Sequence, residues 1–260
     1  MNNLKINLHP NDEKIHFNEK DQSYKIDGKS IQFSVSQIID DFFPKFDSEY
    51  WSRVKAKERL DFLGKSYSIE KLNETQKKII DEWELKRDEA AKKGTLLHEA
   101  IEEYYNRGEL TDLIPEFKFF QEFLKKYPKI QPYRTEWRIY NDELSLAGTV
   151  DMVYEKENGE LFIFDWKRST RLVNDAGLLM LSDFKYAFDE LSHVADNSFN
   201  KYALQQNLYK YILEKYYGKK ISSMNLLVLH PRYHTYFHLK IPEMNKETEF
   251  LVRQSIEKSH

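Results

Sequence analysis

The sequence predicts an α/β fold: a sheet with helices on its faces, preceded by a hairpin and a mostly helical lobe. Three observations predict it. Three strand-like runs rich in Val, Ile, Phe and Tyr follow one another at 134–140, 145–155 and 161–167. A long amphipathic stretch, KYALQQNLYKYILEKYYGKK (201–220), comes next, and two more strand-like runs lie near 224–230 and 235–241. A helix, three strands, a helix and two strands is the order of an α/β sandwich. The 260 residues suit one large domain or a domain with an added lobe, and 40% hydrophobic and 15% aromatic residues suffice for a real core.

The elements can be justified in order. Residues 15–35 alternate apolar and polar around Asp27–Gly28, a hairpin signal. SVSQIIDDFFPKFD offers Ser34 or Ser36 as an N-cap, one apolar helical face, and Pro44 as a stop. From 48 to 107 the text is helical and charged, and EAAKKGTLLHEAIEEYYNRG predicts a helix over 89–107. Leu97, Ile101, Tyr104 and Tyr105 lie near one face of it, with Gly108 as C-cap. A further helix is predicted over 116–127, ended by Pro128, and Gly218 closes the long helix. The segment 170–200 is poorly periodic and exceeds ordinary loop length. Residues 1–90 are expected to form the hairpin and helical lobe packed on the core, 91–245 the core, and 246–260 a C-terminal helix or tail.

Composition narrows the chemistry. Net charge is −3, which argues against a purely electrostatic DNA coat protein and leaves a nuclease with its own carboxylates open. The absence of cysteine excludes disulfides, thiolate catalysis and iron–sulfur clusters. The N-terminal MNNLKINLHPNDEK has no apolar leader core, and no stretch reaches membrane-spanning length, so a soluble, cytoplasmic protein without a membrane partner is expected. The 17 Tyr and 17 Phe could serve base stacking, but a well-filled core uses the same residues.

One pair of strands carries anomalous charge. LAGTVDMVYEKENGELFIFDWKRS (146–169) places Asp151 on one strand and Asp165 and Lys167 on the next. A two-residue turn at Asn158–Gly159 would put the acids on opposite faces. A three-residue loop, Glu157–Asn158–Gly159 with Gly159 left-handed, sets Asp151 opposite Asp165 with Lys167 on the same face. The three-residue loop is the expected one. Two close carboxylates repel, and a divalent cation with oxygen ligands, Mg²⁺ or Mn²⁺, would compensate them. The metal could activate a water that Lys167 orients, and the Trp166 backbone carbonyl, between Asp165 and Lys167, could coordinate as well. The alternative is a structural Asp–Lys salt bridge at a sheet edge.

Further segments add to the pair. GTLLH (94–98), TEWRI (135–139) and LQQNLY (204–209) stand before, just before and after the hairpin. With GTVD (148–151) and DWK (165–167), this ordered set resembles the PD-(D/E)xK nuclease superfamily and its RecB-type exonuclease branch over about residues 90–240. SVSQIIDDFFPKFD and LVLHP are similar to members of phage and giant-virus type and, more distantly, to the mitochondrial genome-maintenance exonuclease. The resemblance implies a restriction-endonuclease-like core with a mixed β-sheet flanked by helices, and Mg²⁺- or Mn²⁺-dependent hydrolysis of DNA, favouring single strands or ends, by a protein that is phage-encoded or works in a virus-infected cell. It implies that His98, Asp151 and Asp165 hold the metal, that Lys167 assists the water, and that Glu136, Gln205 and Tyr209 belong to the site. Arg168–Ser169 depart from the D-[WY]-K-T pattern of the branch.

Each residue has a plainer reading. His98 could be a surface or core histidine, Glu136 an exposed strand acid, and Gln205 and Tyr209 a helix face against the sheet. HEAIE lacks the second histidine of a zinc protease, since Glu102 stands there. Lys118, Lys125, Lys126, Lys129, Arg134 and Arg138, interleaved with Phe and Tyr, form either a nucleic-acid path or a solvated face. Arg168 could meet a phosphate or simply be solvated. At the level of function, a nucleic-acid-binding module with a decayed site and an RNase effector are the alternatives to a deoxyribonuclease.

Overall fold

A computed structural model describes residues 6–62, 64, 66–108, 114–182 and 184–259. The first residues of the stretch read for a leader, and His260, lie outside them. The chain divides into two compact units, one formed by Met1–Pro44 with Leu97–His260 and the other by Lys45–Leu96.

The first unit is built on a six-stranded mixed sheet. After a 3₁₀ turn (Pro10–Glu13), β1 (Ile15–Asn18), β2 (Ser23–Ile26) and β3 (Lys29–Ser30) form a separate antiparallel sheet. Asp27 and Gly28, at φ 47° and 81°, make the two-residue turn between β2 and β3. So the expected hairpin has a third strand, because a second turn at 19–22 joins β1 to β2. Ile15, Tyr24 and Ile26 pack on Tyr140 and Ala147, which places this sheet in the same unit as the main one.

β4 (Phe33–Ser34) runs into α1 (Val35–Asp40), whose N-cap is Ser34: its hydroxyl accepts from the Gln37 amide, and the Gln37 side chain answers with a reciprocal bond. The main sheet continues with β5 (Gln131–Asn141), β6 (Leu146–Glu155) and β7 (Leu161–Lys167), then β8 (Ile221–Val228) and β9 (Phe237–Ile241). Its order is β4-β6-β7-β8-β9, with β5 paired to β6. β5 pairs with residues 146–155 of β6, so β4 and β7 must share the other edge of β6. β7 takes the end at 152–155 and β4 takes 146–147, which leaves a gap between them.

The remaining helices of this unit cover both faces. α5 (Ser198–Tyr216) and α6 (Asn245–Ser259) pack with α1 on one face through Ile38, Leu204, Leu208, Ile212 and Leu251. On the other face, α4 (Phe117–Lys126) buries Phe117, Phe119, Phe120 and Phe123 against Met152, Tyr154, Phe164 and Trp166. Leu97 and Ile101 from the end of α3 (Ile69–Arg107) join the same layer. Much of the aromatic content is spent here, with edge-on ring contacts such as Phe120 on Trp166.

The second unit is helical. It holds α2 (Ser48–Phe62) and the part of α3 before Leu97, packed through Ala56, Leu60, Leu72 and Ile79. α3 begins twenty residues earlier than predicted at 89, because the charged stretch before it carries Leu72, Thr75 and Ile79 on a buried face. Among the described residues no helix is long and apolar enough to cross a membrane.

Between β6 and β7 the Lys156–Glu160 hydrogen bond closes a three-residue loop, 157–159. Lys156 N–H donates to the Glu160 carbonyl, Gly159 N–H to the Lys156 carbonyl, and Gly159 sits at φ 80°. The pairs Met152↔Phe164 and Tyr154↔Phe162 follow from it. Gly159→Ala should cost about 1 kcal/mol, because an L-residue pays for the left-handed backbone. Chemical denaturation measures this loss.

Candidate metal centre

The pairing of β6 with β7 stops at Met152↔Phe164, one step before Asp151 and Asp165 would face each other. There the strands part. The Trp166 N–H donates instead to Asp151 Oδ2 at 2.9 Å, so the carboxylate replaces a backbone acceptor in the gap. Both acids are buried, at 9% and 3% exposure.

Lys167 Nζ lies 2.5 Å from Asp165 Oδ2 and 4.5 Å from the centre of the Tyr202 ring. Burial raises the Asp165 carboxyl above its ordinary range, and the Asp151 charge adds to this, while Lys167 and His98 oppose it. For Lys167, burial works against the charge, but the two carboxylates outweigh it and hold the ammonium protonated. The tie between the Asp165 oxygen and Lys167 is a close, buried ion pair.

The buried neighbours Leu97 and Ile101 anchor the end of α3 and aim His98 at this gap. His98 Nε2 stands 3.1 Å from the Trp166 carbonyl oxygen, which can only accept. Nε2 therefore carries the proton, and Nδ1 faces the acids, 3.5 Å from Asp151 Oδ2 and 3.8 Å from Glu136 Oε1. Burial disfavours the charged ring, but Asp151 and Glu136 overcome this and push its pKa up to about 9.

Glu136 arrives by a distortion of β5. Thr135↔Met152 and Trp137↔Val150 flank it in the ladder, so by continuity it faces Asp151. Its φ is 44°, a conformation that costs a non-glycine residue about 1–3 kcal/mol and survives only where its surroundings impose it. One donor atom from each of His98, Glu136 and Asp151 lies within 4.8 Å of the others. One imidazole nitrogen and two carboxylates, with one acid already oriented by a backbone N–H, fit a divalent cation such as Mn²⁺ or Mg²⁺.

On the opposite helical layer, Gln205 Nε2 donates to the Tyr209 hydroxyl at 3.1 Å and the Ser36 hydroxyl at 3.2 Å, while its Oε1 is buried with no partner among the described residues. Burial pushes the Tyr209 phenol well above its ordinary value, so it stays neutral. Its ring explains the glycine of GTVD: a Cβ on Gly148 would come 2.5 Å from Tyr209 Cε1.

The expected site residues thus come together with altered parts. Asp165 stands outside the three-residue donor group and holds Lys167, while Glu136 stands inside it. The Trp166 carbonyl is engaged by His98. Ser36, read in the sequence as one of two N-cap candidates, and Tyr202 were not expected at the site, although Tyr202, Gln205 and Tyr209 share one helical face by their spacing.

The expected basic path divides. Lys118, Lys125, Lys126, Lys129 and Arg138 are exposed, but Arg134 is buried against Asp12 at 2.6 Å and cannot line a path. Arg168 is not simply solvated, since it pairs with the buried Glu116. In the long connection, Asn197 is the N-cap of α5, Asp196 meets Lys201 at 3.2 Å, and His193 meets Glu247 at 2.7 Å.

No family model matches the chain, and no curated protein matches it. Among solved structures it is similar to the crystal structure of SSO0001, at 13% identity and a TM-score of 0.36. The match covers 88% of this chain and 76% of that one, a likeness too loose to bear on function.

Two outcomes follow from the geometry. Gly148→Ala should destabilise the fold by about 1–3 kcal/mol through overpacking against Tyr209, measured by denaturation. His98 must lose its proton to ligate, so Mn²⁺ affinity should rise between pH 7 and 8.5 by up to about tenfold per unit. The sign for the metal-free fold is opposite. Stabilisation from the charged ring is complete below its ordinary value of 6.5 and is lost as pH rises through about 9. Calorimetric titration at several pH values reads the first effect, and thermal melts read the second.

Proposed function

We propose that this protein is a metal-dependent nuclease that hydrolyses phosphodiester bonds of DNA, acting as an exonuclease on single strands or ends. We further propose that its α/β core is of the restriction-endonuclease-like type, within the PD-(D/E)xK superfamily. The observation that carries this reading is the meeting of His98, Glu136 and Asp151 beside the Asp165–Lys167 pair, where β6 and β7 separate. The order of the sequence motifs supports it independently.

Mg²⁺ or Mn²⁺ held by His98, Glu136 and Asp151 would polarise a phosphate oxygen and lower the pKa of a bound water. The protein's own groups divide the remaining work. Asp165 holds Lys167 in place against Tyr202, and the ammonium sits where it can balance charge gathering on the phosphate. The two carboxylates favour the charged ammonium, so Lys167 is placed to act as an electrostatic partner and a donor to the water. The Trp166 carbonyl fixes the His98 ring so that Nδ1 faces the carboxylates. Gln205, braced by Tyr209 and Ser36, keeps an amide oxygen that meets no partner among the described residues on the lysine-bearing face of the sheet.

Cleavage assays with labelled single-stranded DNA, duplex DNA and RNA test the reading. Single-stranded DNA should be degraded with Mg²⁺ or Mn²⁺ and spared with EDTA. Lys167→Ala should lower the rate at least about 100-fold. Because Lys167→Ala strands a buried carboxylate, Lys167→Gln and Asp151→Asn serve as further variants, each checked for folding by circular dichroism. Undiminished cleavage by folded Lys167 variants would contradict the mechanism. Metal-independent binding with no cleavage of any substrate would favour a binding module, and cleavage of RNA alone an RNase.

A further inference from the structure

The distorted backbone at Glu136 needs a cause, and Asp12 supplies one. Glu136 sits at φ 44° in the middle of an eleven-residue strand, between residues that remain in register with β6. Its two sides are gripped by a single carboxylate. Asp12 Oδ2 accepts from Arg134 Nη1 at 2.6 Å, and Asp12 Oδ1 accepts from Trp137 Nε1 at 3.1 Å. The clamp thus spans the peptide units on both sides of Glu136.

The clamp is itself rigid. Asp12 belongs to the 3₁₀ turn that opens at Pro10, where the His9 N–H donates to Asp12 Oδ2 at 2.7 Å and the Asp12 N–H to the His9 carbonyl at 2.9 Å. Arg134 lies 4.9 Å from the centre of the Trp137 ring and donates also to the Asn7 carbonyl. The Trp137 indole meets the Tyr217 ring edge-on. The side chains of Arg134 and Asp12 are only 6% and 14% exposed. A buried ion pair is a poor source of net stability, whereas holding a structure in one register is its best-attested use.

We propose that Asp12 is a positioning residue for the metal centre: by bridging Arg134 and Trp137 it imposes the backbone turn that aims the Glu136 carboxylate at His98 and Asp151. The inference rests on the metal-site reading of those three residues. It assigns a role in the centre to the N-terminal turn, which lies more than eighty residues before His98 and more than a hundred before Glu136 and Asp151.

The test uses Mn²⁺ itself as the probe, with affinities measured by calorimetry on the full chain. Asp12→Asn should weaken Mn²⁺ binding about tenfold, the scale of other groups that orient metal ligands. In a Glu136→Gln background the same change should have no further effect. Equal losses in both backgrounds would mean general loosening and overturn the proposal, as would an unchanged affinity. If Asp12→Asn does not fold, Trp137→Phe removes one of the two grips while keeping the ring, and the same comparison applies. A crystal structure of metal-free Asp12→Asn, or of Trp137→Phe in its place, reads the geometry directly. Residue 136 should return to negative φ, and a φ still near 44° would overturn the proposal. Failure of the wild type to take up Mn²⁺ at all would defeat the metal-site reading, which the crystallographic readout of the clamp does not depend on.

Discussion

The structure of the site depends on a hydrogen bond that is not part of any ladder: the Trp166 N–H donating to the Asp151 carboxylate. A buried N–H needs an acceptor, and β6 ceases to offer backbone oxygens once it separates from β7. The acid side chain fills that need, and in doing so is fixed in direction by a main-chain group. The strands can then stay apart without leaving an orphan donor. β4 takes up the far end of the same edge, so the opening is bounded on both sides by paired strand.

Both layers of helices converge on this opening. From one face α3 delivers His98, whose ring is steered by the carbonyl of the same Trp166 that donates to Asp151. From the other face α5 delivers Tyr209 against Gly148, Gln205 beside it, and Tyr202 over the Lys167 ammonium. Charge is arranged in the same way. The Asp151 charge acts on His98, Asp165 and Lys167, and Asp165 and Lys167 act on each other in a largely buried space. Such a cluster has an energetic cost in a protein without a ligand to balance it. The separation of Asp165, held by a lysine, from Asp151, held by an amide, gives the two carboxylates of the hairpin different surroundings and different work.

Much of this was legible in the sequence because it depends on short-range rules. The period of two, with a three-residue loop and a glycine at φ 80°, is enough to set the register that ends at Met152↔Phe164 and brings Asp151 and Asp165 to the point where the strands part. Ser34 and Gln37 announce a capping box, and the order of strands and helices gives the sandwich. What escaped depends on distant contacts. The exchange of Asp165 for Glu136 in the donor group needs the kink in β5, and no local signal marks a glutamate for positive φ. The third N-terminal strand, the burial of Arg134 by Asp12 and the pairing of Arg168 with Glu116 are likewise invisible to composition, since an arginine in a basic stretch reads as solvated until its partner is known. The early start of α3 was missed because its apolar face there is thin among many charges.

The central claim is that the parted strands form a place for one divalent cation, held by His98, Glu136 and Asp151. The most direct measurement is an anomalous difference map from crystals of the full chain soaked in Mn²⁺. A peak is expected within bonding distance of His98 Nδ1 and of a carboxylate oxygen from each of Glu136 and Asp151. A map without a peak there, or with Mn²⁺ held elsewhere while His98 keeps its contact with the two acids, would contradict it.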